Sequence, residues 1–533
     1  MKKLIAYVFA FSLALTGVAS AEMTPDEKAA MAALQAQVNA LTAAMAALQA
    51  QQAHAVAKPP AALPPPPAGS FIGLQKNTTG NVVLLIGGEA VQVYGNIDVS
   101  LDATTKGLQS FYPSSGDSPV GNMSYLQAIS TNLSFIGVRG DHKIGPHSGV
   151  VYQLEGGFQV SSTPGTVNTN SNDSGDVNGA LFSRNSYIGL RTPSGQFKIG
   201  KTDAPYKTST ARMNPFSGEI GDYSVVMGNS GGDNRTEFGT RLDHSIWYES
   251  PNWGGFSVNL LFSPGQNRAS DSSNIASGSS SCTGGNLPGS GALPPLCNDG
   301  SFSSAYSASA QYQIGKAYMT AAYEAHKKVN RTSDLPDLDP NDVGDETAVK
   351  GGIQYAFSRQ TSIAAIYESM QRFLPAYLTP QNERTRDGFW LTGTQALSRV
   401  DSFSVGWARA NPSPGDPGQH NTPTLYPNAA NPTLYGTPNP DNMANMFTAM
   451  FRHTIDRHVS WYADWALTLN HPYAHYDLGA GGRGITTDCH DATTLAAFDP
   501  TANGGLGGVT GTGPHCYAGG RLQGFSTGLD VKF

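Results

Sequence analysis

The chain has 533 residues with a formal charge of −7, of which 14% are charged, and it contains 61 Gly, 22 Tyr, 22 Phe and only four Cys. A net negative chain disfavours nucleic acid as a partner, because phosphate binding needs a basic face. No stretch reaches the roughly 18 apolar residues of a membrane-spanning helix, while many glycines and aromatics suit the turns and girdles of one large membrane barrel.

Lys2 and Lys3 precede an apolar run at 4–15 and a small-residue end at Ala19-Ser20-Ala21. That order is a secretory signal peptide over residues 1–21, and its removal makes the chain two charges more negative. Residues 22–57 follow as a periplasmic helical segment. Met31, Leu34, Val38, Leu41, Met45 and Leu48 repeat at heptad spacing, which predicts a short coiled coil; a lone helix is the alternative for so few heptads. Residues 58–70 are a stiff proline-rich linker, and residues 71–90 form a junction in which 81–86 reads as a strand or as part of the connection.

From residue 91 to 533 the pattern changes to short alternating runs. Tight connections at 145–149, 193–195, 252–255, 315–316, 358–360, 398–400 and 456–458 alternate with long ones. The long ones lie near 102–131, 161–180, 203–240, 266–303, 331–345, 374–387, 413–441 and 473–519. This predicts an all-β transmembrane barrel of about sixteen antiparallel strands, with short periplasmic turns and long extracellular loops. The final strand, residues 525–533, alternates Phe525, Thr527, Leu529, Val531 and Phe533 with Ser526, Gly528, Asp530 and Lys532. It must pair with the strand that starts near Val91, with the Phe533 ring toward lipid.

Four segments extend this pattern to a resemblance. V-Q-V-Y-G-N-I-D at 91–98, L-S-F-I-G-V-R-G-D-H-K-I-G-P-H-S-G-V-V-Y-Q-L-E at 133–155, F-S-R-N-S-Y-I-G-L-R-T-P-S-G-Q-F-K-I-G at 182–200 and H-S-I-W-Y-E-S-P-N-W-G-G-F at 244–256 resemble the first hairpins of the general Gram-negative porins. The resemblance implies an outer-membrane homotrimer, set among lipid and lipopolysaccharide, that passes ions and small hydrophilic solutes by passive diffusion. It implies that the third outer loop, here 203–240, folds inward to narrow the pore, and that the barrel assembly machinery reads the strand ending in Phe533. In this loop Glu219 and Asp222 are the acidic residues near the inward tip. Alternation supplies the facing wall: outward Ile136 and Val138 put Arg139 inside, outward Tyr187 puts Arg184 inside, and outward Phe197 and Ile199 put Lys198 inside. Outward Ile246 and Tyr248 put Arg241, Asp243 and Trp247 inside. Trp247 stands where the family often has a basic residue; it either narrows the pore as a stacking surface or packs beneath the loop. Tyr187, Tyr248, Phe256, Trp461, Trp465 and Phe533 are expected in the lipid-facing aromatic girdles.

Other chemistry is weaker. Cys282 and Cys297 share one long loop and Cys489 and Cys516 another, which reads as two local disulfides in an exported protein, with the pairing left open. The acidic run at 334–345 lacks the Gly and Glu of a calcium loop, and no metal or cofactor is expected. No Ser/His set on facing strands supports a barrel enzyme. Two readings remain beside general diffusion: a channel preferring an organic or anionic solute, and an N-terminal segment that tethers the barrel to peptidoglycan.

Overall fold

The structure, a computed structural model, describes residues 72–76, 82–86, 89–108, 123–158, 160, 184–227, 238–264, 302–330, 343–375, 379, 382, 384–415, 441–471, 474, 476, 478, 497–499, 508–510 and 521–533. The signal peptide, heptad segment, proline linker and all four cysteines lie outside these residues. The first half of the described chain forms β1 (Ile72–Lys76), β2 (Val82–Ile86), β3 (Glu89–Leu108), β4 (Met123–Thr131), β5 (Phe135–Lys143), β6 (Gly149–Gly157), β7 (Ser186–Thr192), β8 (Gly195–Asp203), β9 (Arg241–Glu249) and β10 (Phe256–Ser263). The second half forms β11 (Ser304–Ile314), β12 (Ala317–Asn330), β13 (Val343–Ala356), β14 (Thr361–Arg372), β15 (Arg386–Ala396), β16 (Asp401–Ala410), β17 (Ala444–Thr454), β18 (Val459–Asn470), the short pair β19 (Ala497–Asp499) and β20 (Gly508–Thr510), and β21 (Arg521–Lys532).

Sixteen staves close into an antiparallel barrel. β4 pairs with the upper part of β3 and β5 with its lower part, so the two are one stave broken at 132–134, where Leu133 has φ of 46°. From β5 each strand pairs with the next to β18, and β21 closes the ring by pairing with both β18 and β3. A closed ring leaves no unpaired strand edge in the bilayer, which is the condition for crossing it with strands. The β1–β2 hairpin is added at the short-turn side, where Val83 to Ile86 pair with Gln92 to Glu89 of β3. The junction residues 82–86 are thus a strand. β3 also runs further than the predicted loop start at 102: Asp102 and Thr104 look loop-like but are buried, lumen-facing positions of a continuing strand.

Burial is inverted relative to a water-soluble protein. Ile136, Ile188, Phe197, Ile199, Ile246, Leu260, Val349, Ile363, Tyr367 and Leu529 are exposed on the outside, whereas Glu155, Lys198, Glu324, Glu346, Lys350, Glu368 and Arg386 are buried inside. An apolar outer band around a polar interior is what alternation gives in a barrel surrounded by lipid.

Candidate functional site

Residues 204–227, which follow β8, lie in the lumen as a ribbon along the inner faces of β11 to β17. Pro205 opens a helical turn at Pro205–Thr208, where its missing N–H leaves no donor unmet. The Tyr206 N–H donates to Ser307 Oγ at 3.0 Å, and its phenol donates to Glu368 Oε1 at 2.7 Å. Burial, with Glu368 alongside, pushes that phenol well above its ordinary pKa, so it remains a donor. Further along, the Tyr318 phenol donates to the Ser209 carbonyl at 2.9 Å and Trp390 Nε1 to the Met213 carbonyl at 3.0 Å. Tyr223 stacks on Trp390 at 5.3 Å and Phe216 meets it edge-on at 5.8 Å.

Apolar packing holds the ribbon down. Met213, Phe216, Ile220, Val226 and Met227 form one core with lumen-facing Ala364, Ile366, Ala408, Met446 and Ala466, and each large side chain so buried contributes roughly 1.5–3 kcal/mol. The wall residues here are mostly small, which makes room for the ribbon. Gly221 shows how close the approach is: a Cβ there would lie 1.9 Å from Thr448 Oγ1.

The two acidic residues at the tip do different things. Asp222 braces its own loop, accepting from Asn214 Nδ2 at 2.8 Å and from the N–H groups of Gly218 and Ser224 at 3.0 Å. Glu219 faces outward from the loop to Arg452 on β17, at 3.7 Å. Arg452 in turn reaches Asp530 at 3.4 Å and Ser460 Oγ at 3.1 Å and lies over the Tyr462 ring. Arg452 was absent from the sequence expectations, although outward Phe447, Ala449 and Phe451 put it inside by the same alternation.

On the facing arc, Arg139 and Lys198 are lumen-side residues. Arg139 Nε donates to Gln92 Oε1 at 3.0 Å, near the short-turn end. Lys198 Nζ donates to Glu249 Oε2 at 2.7 Å and sits 4.7 Å from the Tyr187 ring centre. Arg184 pairs with buried Glu155 at 2.7 Å and lies over Phe135. Glu155 also accepts from the Tyr94 phenol at 3.0 Å. Tyr187 departs from expectation: Ile188 and Leu190 are the outward residues of β7, and Tyr187 points inward against Trp247 at 5.3 Å. Arg184 still reaches the lumen because it precedes the strand and is not bound by its alternation.

Trp247 faces inward but is 4% exposed, within the buried cluster that also holds Tyr206, Phe238, Leu242 and Leu261, and its Nε1 donates to Glu249 Oε1 at 2.9 Å. Arg241 and Asp243 lie elsewhere than alternation from Ile246 implies. His244 has φ of 52° and the β8–β9 register shifts beside it, so Leu242 takes the inward position. Arg241 pairs with Asp203 at 3.2 Å and donates to Asn185 Oδ1 at 2.8 Å, and Asp243 pairs with Lys201 at 2.8 Å.

Comparison with known proteins follows the same outline. Residues 40–470 match the Gram-negative porin family. The major outer membrane protein P.IB of Neisseria gonorrhoeae is 26% identical over 188 residues, covering 34% of this chain and 47% of that protein, so the chain spans about half the length of this relative. The anion-selective porin from Comamonas acidovorans superposes with a TM-score of 0.53 at 15% identity, covering 83% of this chain and 99% of that one. Salmonella typhi OmpF, solved with daunomycin, gives a TM-score of 0.49 at 12% identity, covering 84% and 98%.

Proposed function

The chain belongs to the Gram-negative porin family, and we propose that it is a bacterial outer-membrane channel for passive diffusion whose constriction is the ribbon at 204–227. The observation that carries this is the apolar core shared by Phe216, Ile220 and the barrel wall, which fixes the ribbon inside the lumen. Solutes then pass between the ribbon and the arc that carries Glu155, Arg184 and Lys198. Facing polar groups on a fixed aperture sort solutes by size and charge without holding them tightly.

Within the same proposal, Glu219 at the tip and Arg139, Arg184 and Lys198 on the wall shape the aperture, while Asp222, Trp247, Arg241 and Asp243 support it. The assembly is a homotrimer among outer-membrane lipid and lipopolysaccharide. The strand ending in Phe533 is the segment read by the barrel assembly machinery, and the heptad segment tethers the barrel toward peptidoglycan. The two loop disulfides belong to this proposal also.

Liposome swelling with neutral sugars of increasing size tests the constriction. Removing residues 214–223 is expected to raise the size cut-off. An unchanged cut-off in a correctly folded variant would exclude the ribbon as the narrowest part.

A further inference from the structure

Most cations of the lumen are matched by a carboxylate: Arg184 by Glu155, Lys198 by Glu249, Arg191 by Asp141, Arg372 by Glu346 and Arg452 by Glu219 and Asp530. Among the described residues Arg139, Arg212, Lys350 and Arg386 are different. They form no ion pair, and each lies over a tyrosine ring: Tyr94 at 4.7 Å, Tyr318 at 4.2 Å, Tyr206 at 4.0 Å and Tyr476 at 5.1 Å respectively. A ring face supports a cation without cancelling its charge. Lys350 and Arg386 are buried, whereas Arg139 and Arg212 are exposed.

The two exposed guanidiniums are held in one manner. Arg212 Nε donates to Gln354 Oε1 at 2.9 Å and its Nη1 to Gln313 Oε1 at 3.0 Å. Gln313, Tyr318 and Gln354 are register partners on β11, β12 and β13, so Arg212 lies across a row of three neutral side chains. Arg139 Nε donates to Gln92 Oε1, its register partner on β3. An amide oxygen fixes the orientation as a carboxylate would, but it brings no negative charge. Each guanidinium is therefore oriented and uncompensated, and keeps N–H groups at its Nη2 end for a bidentate oxyanion. Both lie within a few residues of a short turn, Arg139 on the second stave and Arg212 against the eighth to tenth. In a ring of sixteen these are roughly opposite arcs of one mouth.

We propose that Arg139 and Arg212 form an oxyanion-binding filter at the short-turn mouth, which makes the channel prefer anions and engage small carboxylates and phosphate. This rests on the diffusion reading and deepens it. It opposes what the chain's total charge of −7 suggests, since the local field of a low-dielectric mouth outweighs charges on distant loops screened by salt.

The experiment uses the full chain in planar bilayers, with Arg139→Gln/Arg212→Gln and Arg139→Lys/Arg212→Lys variants checked for folding by heat-shifted gel mobility. In a potassium chloride gradient the wild type is expected to show an anion-favouring reversal potential, and inorganic phosphate to reduce the chloride current saturably. The Gln pair is expected to lose both effects. The Lys pair is expected to keep the reversal potential but need about tenfold more phosphate for half-reduction, because an ammonium lacks the two-point fork. A cation-favouring wild type, or a Gln pair with unchanged potential and phosphate response, would overturn the filter while leaving the channel intact. Absence of any channel would instead overturn the diffusion reading beneath it.

Discussion

Phe533 and Gly95 exchange two backbone hydrogen bonds, at 3.0 and 3.1 Å, and the Phe533 ring occupies the space a side chain at Gly95 would fill. A Cβ on Gly95 would lie 2.5 Å from the ring's Cζ. The last residue of the chain is thereby seated on the first stave, and barrel closure ends on an aromatic at the short-turn rim. Gly95→Val should displace the ring and destabilise the closed barrel by about 1–3 kcal/mol, the usual cost of overpacking. Urea-dependent unfolding in detergent, followed by heat-shifted mobility, measures it; unchanged unfolding would mean the ring seat contributes nothing.

Trp390 is the main clamp on the ribbon, through its hydrogen bond to the Met213 carbonyl and its stacking with Tyr223. Trp390→Ala removes both and leaves a cavity worth about 3–5 kcal/mol. Because the strand pairing is untouched, the expected result is a folded barrel with noisier, larger single-channel conductance. A quiet channel of wild-type conductance would show that the apolar core alone holds the ribbon.

Trp247 offers little surface to a solute, being buried edge-on to Tyr187 within the cluster that includes Leu242 and Leu261. Trp247→Ala should therefore lower stability by about 3–5 kcal/mol while leaving the affinity for aromatic blockers unchanged. Loss of block at unaltered stability would assign it a stacking role.

Glu219 and Arg452 tie the ribbon tip to β17. Glu219→Gln keeps the shape and removes the charge, so conductance fluctuations should increase with little change in mean size cut-off, and Arg452→Gln should behave alike. The double variant should add little to either single one, as expected for two partners of one contact. Additive effects would mean the two residues act separately.

Much of this was legible in the sequence, and the failures share a cause. Strands with strong outward residues, such as Phe197 and Ile199 or Ile136, gave the correct face for Lys198 and Arg139, because period-two alternation is a geometric property of the strand. One irregularity defeats that arithmetic. Beside His244, which has a positive φ, the β8–β9 register shifts and Leu242 takes a buried position, so alternation counted from Ile246 does not carry through to Arg241 and Asp243. No residue type there advertises the irregularity, since His244 is not glycine. Tyr187 was misread because an aromatic was assumed to face lipid, whereas Ile188 and Leu190 decide the face. Asp222 looked like a pore carboxylate because sequence cannot show that its oxygens are already taken by Gly218 and Ser224. Arg212 was overlooked because the row of Gln313, Tyr318 and Gln354 beneath it comes from three separate strands.

The proposed part of the N-terminal heptad segment in assembly is testable by deletion. Removing residues 22–57 is expected to lower the temperature at which trimers dissociate on gels while leaving single-channel conductance unchanged. An unaltered dissociation temperature would leave the segment without a part in oligomerisation.

On the proposed reading this barrel encloses a water-filled diffusion pore narrowed by a fixed inner ribbon. Planar-bilayer recording of the purified protein tests it most directly. Discrete upward conductance steps, linear in voltage and increasing when residues 214–223 are removed, are the predicted result; no steps, or steps of the same size without the ribbon tip, would contradict it.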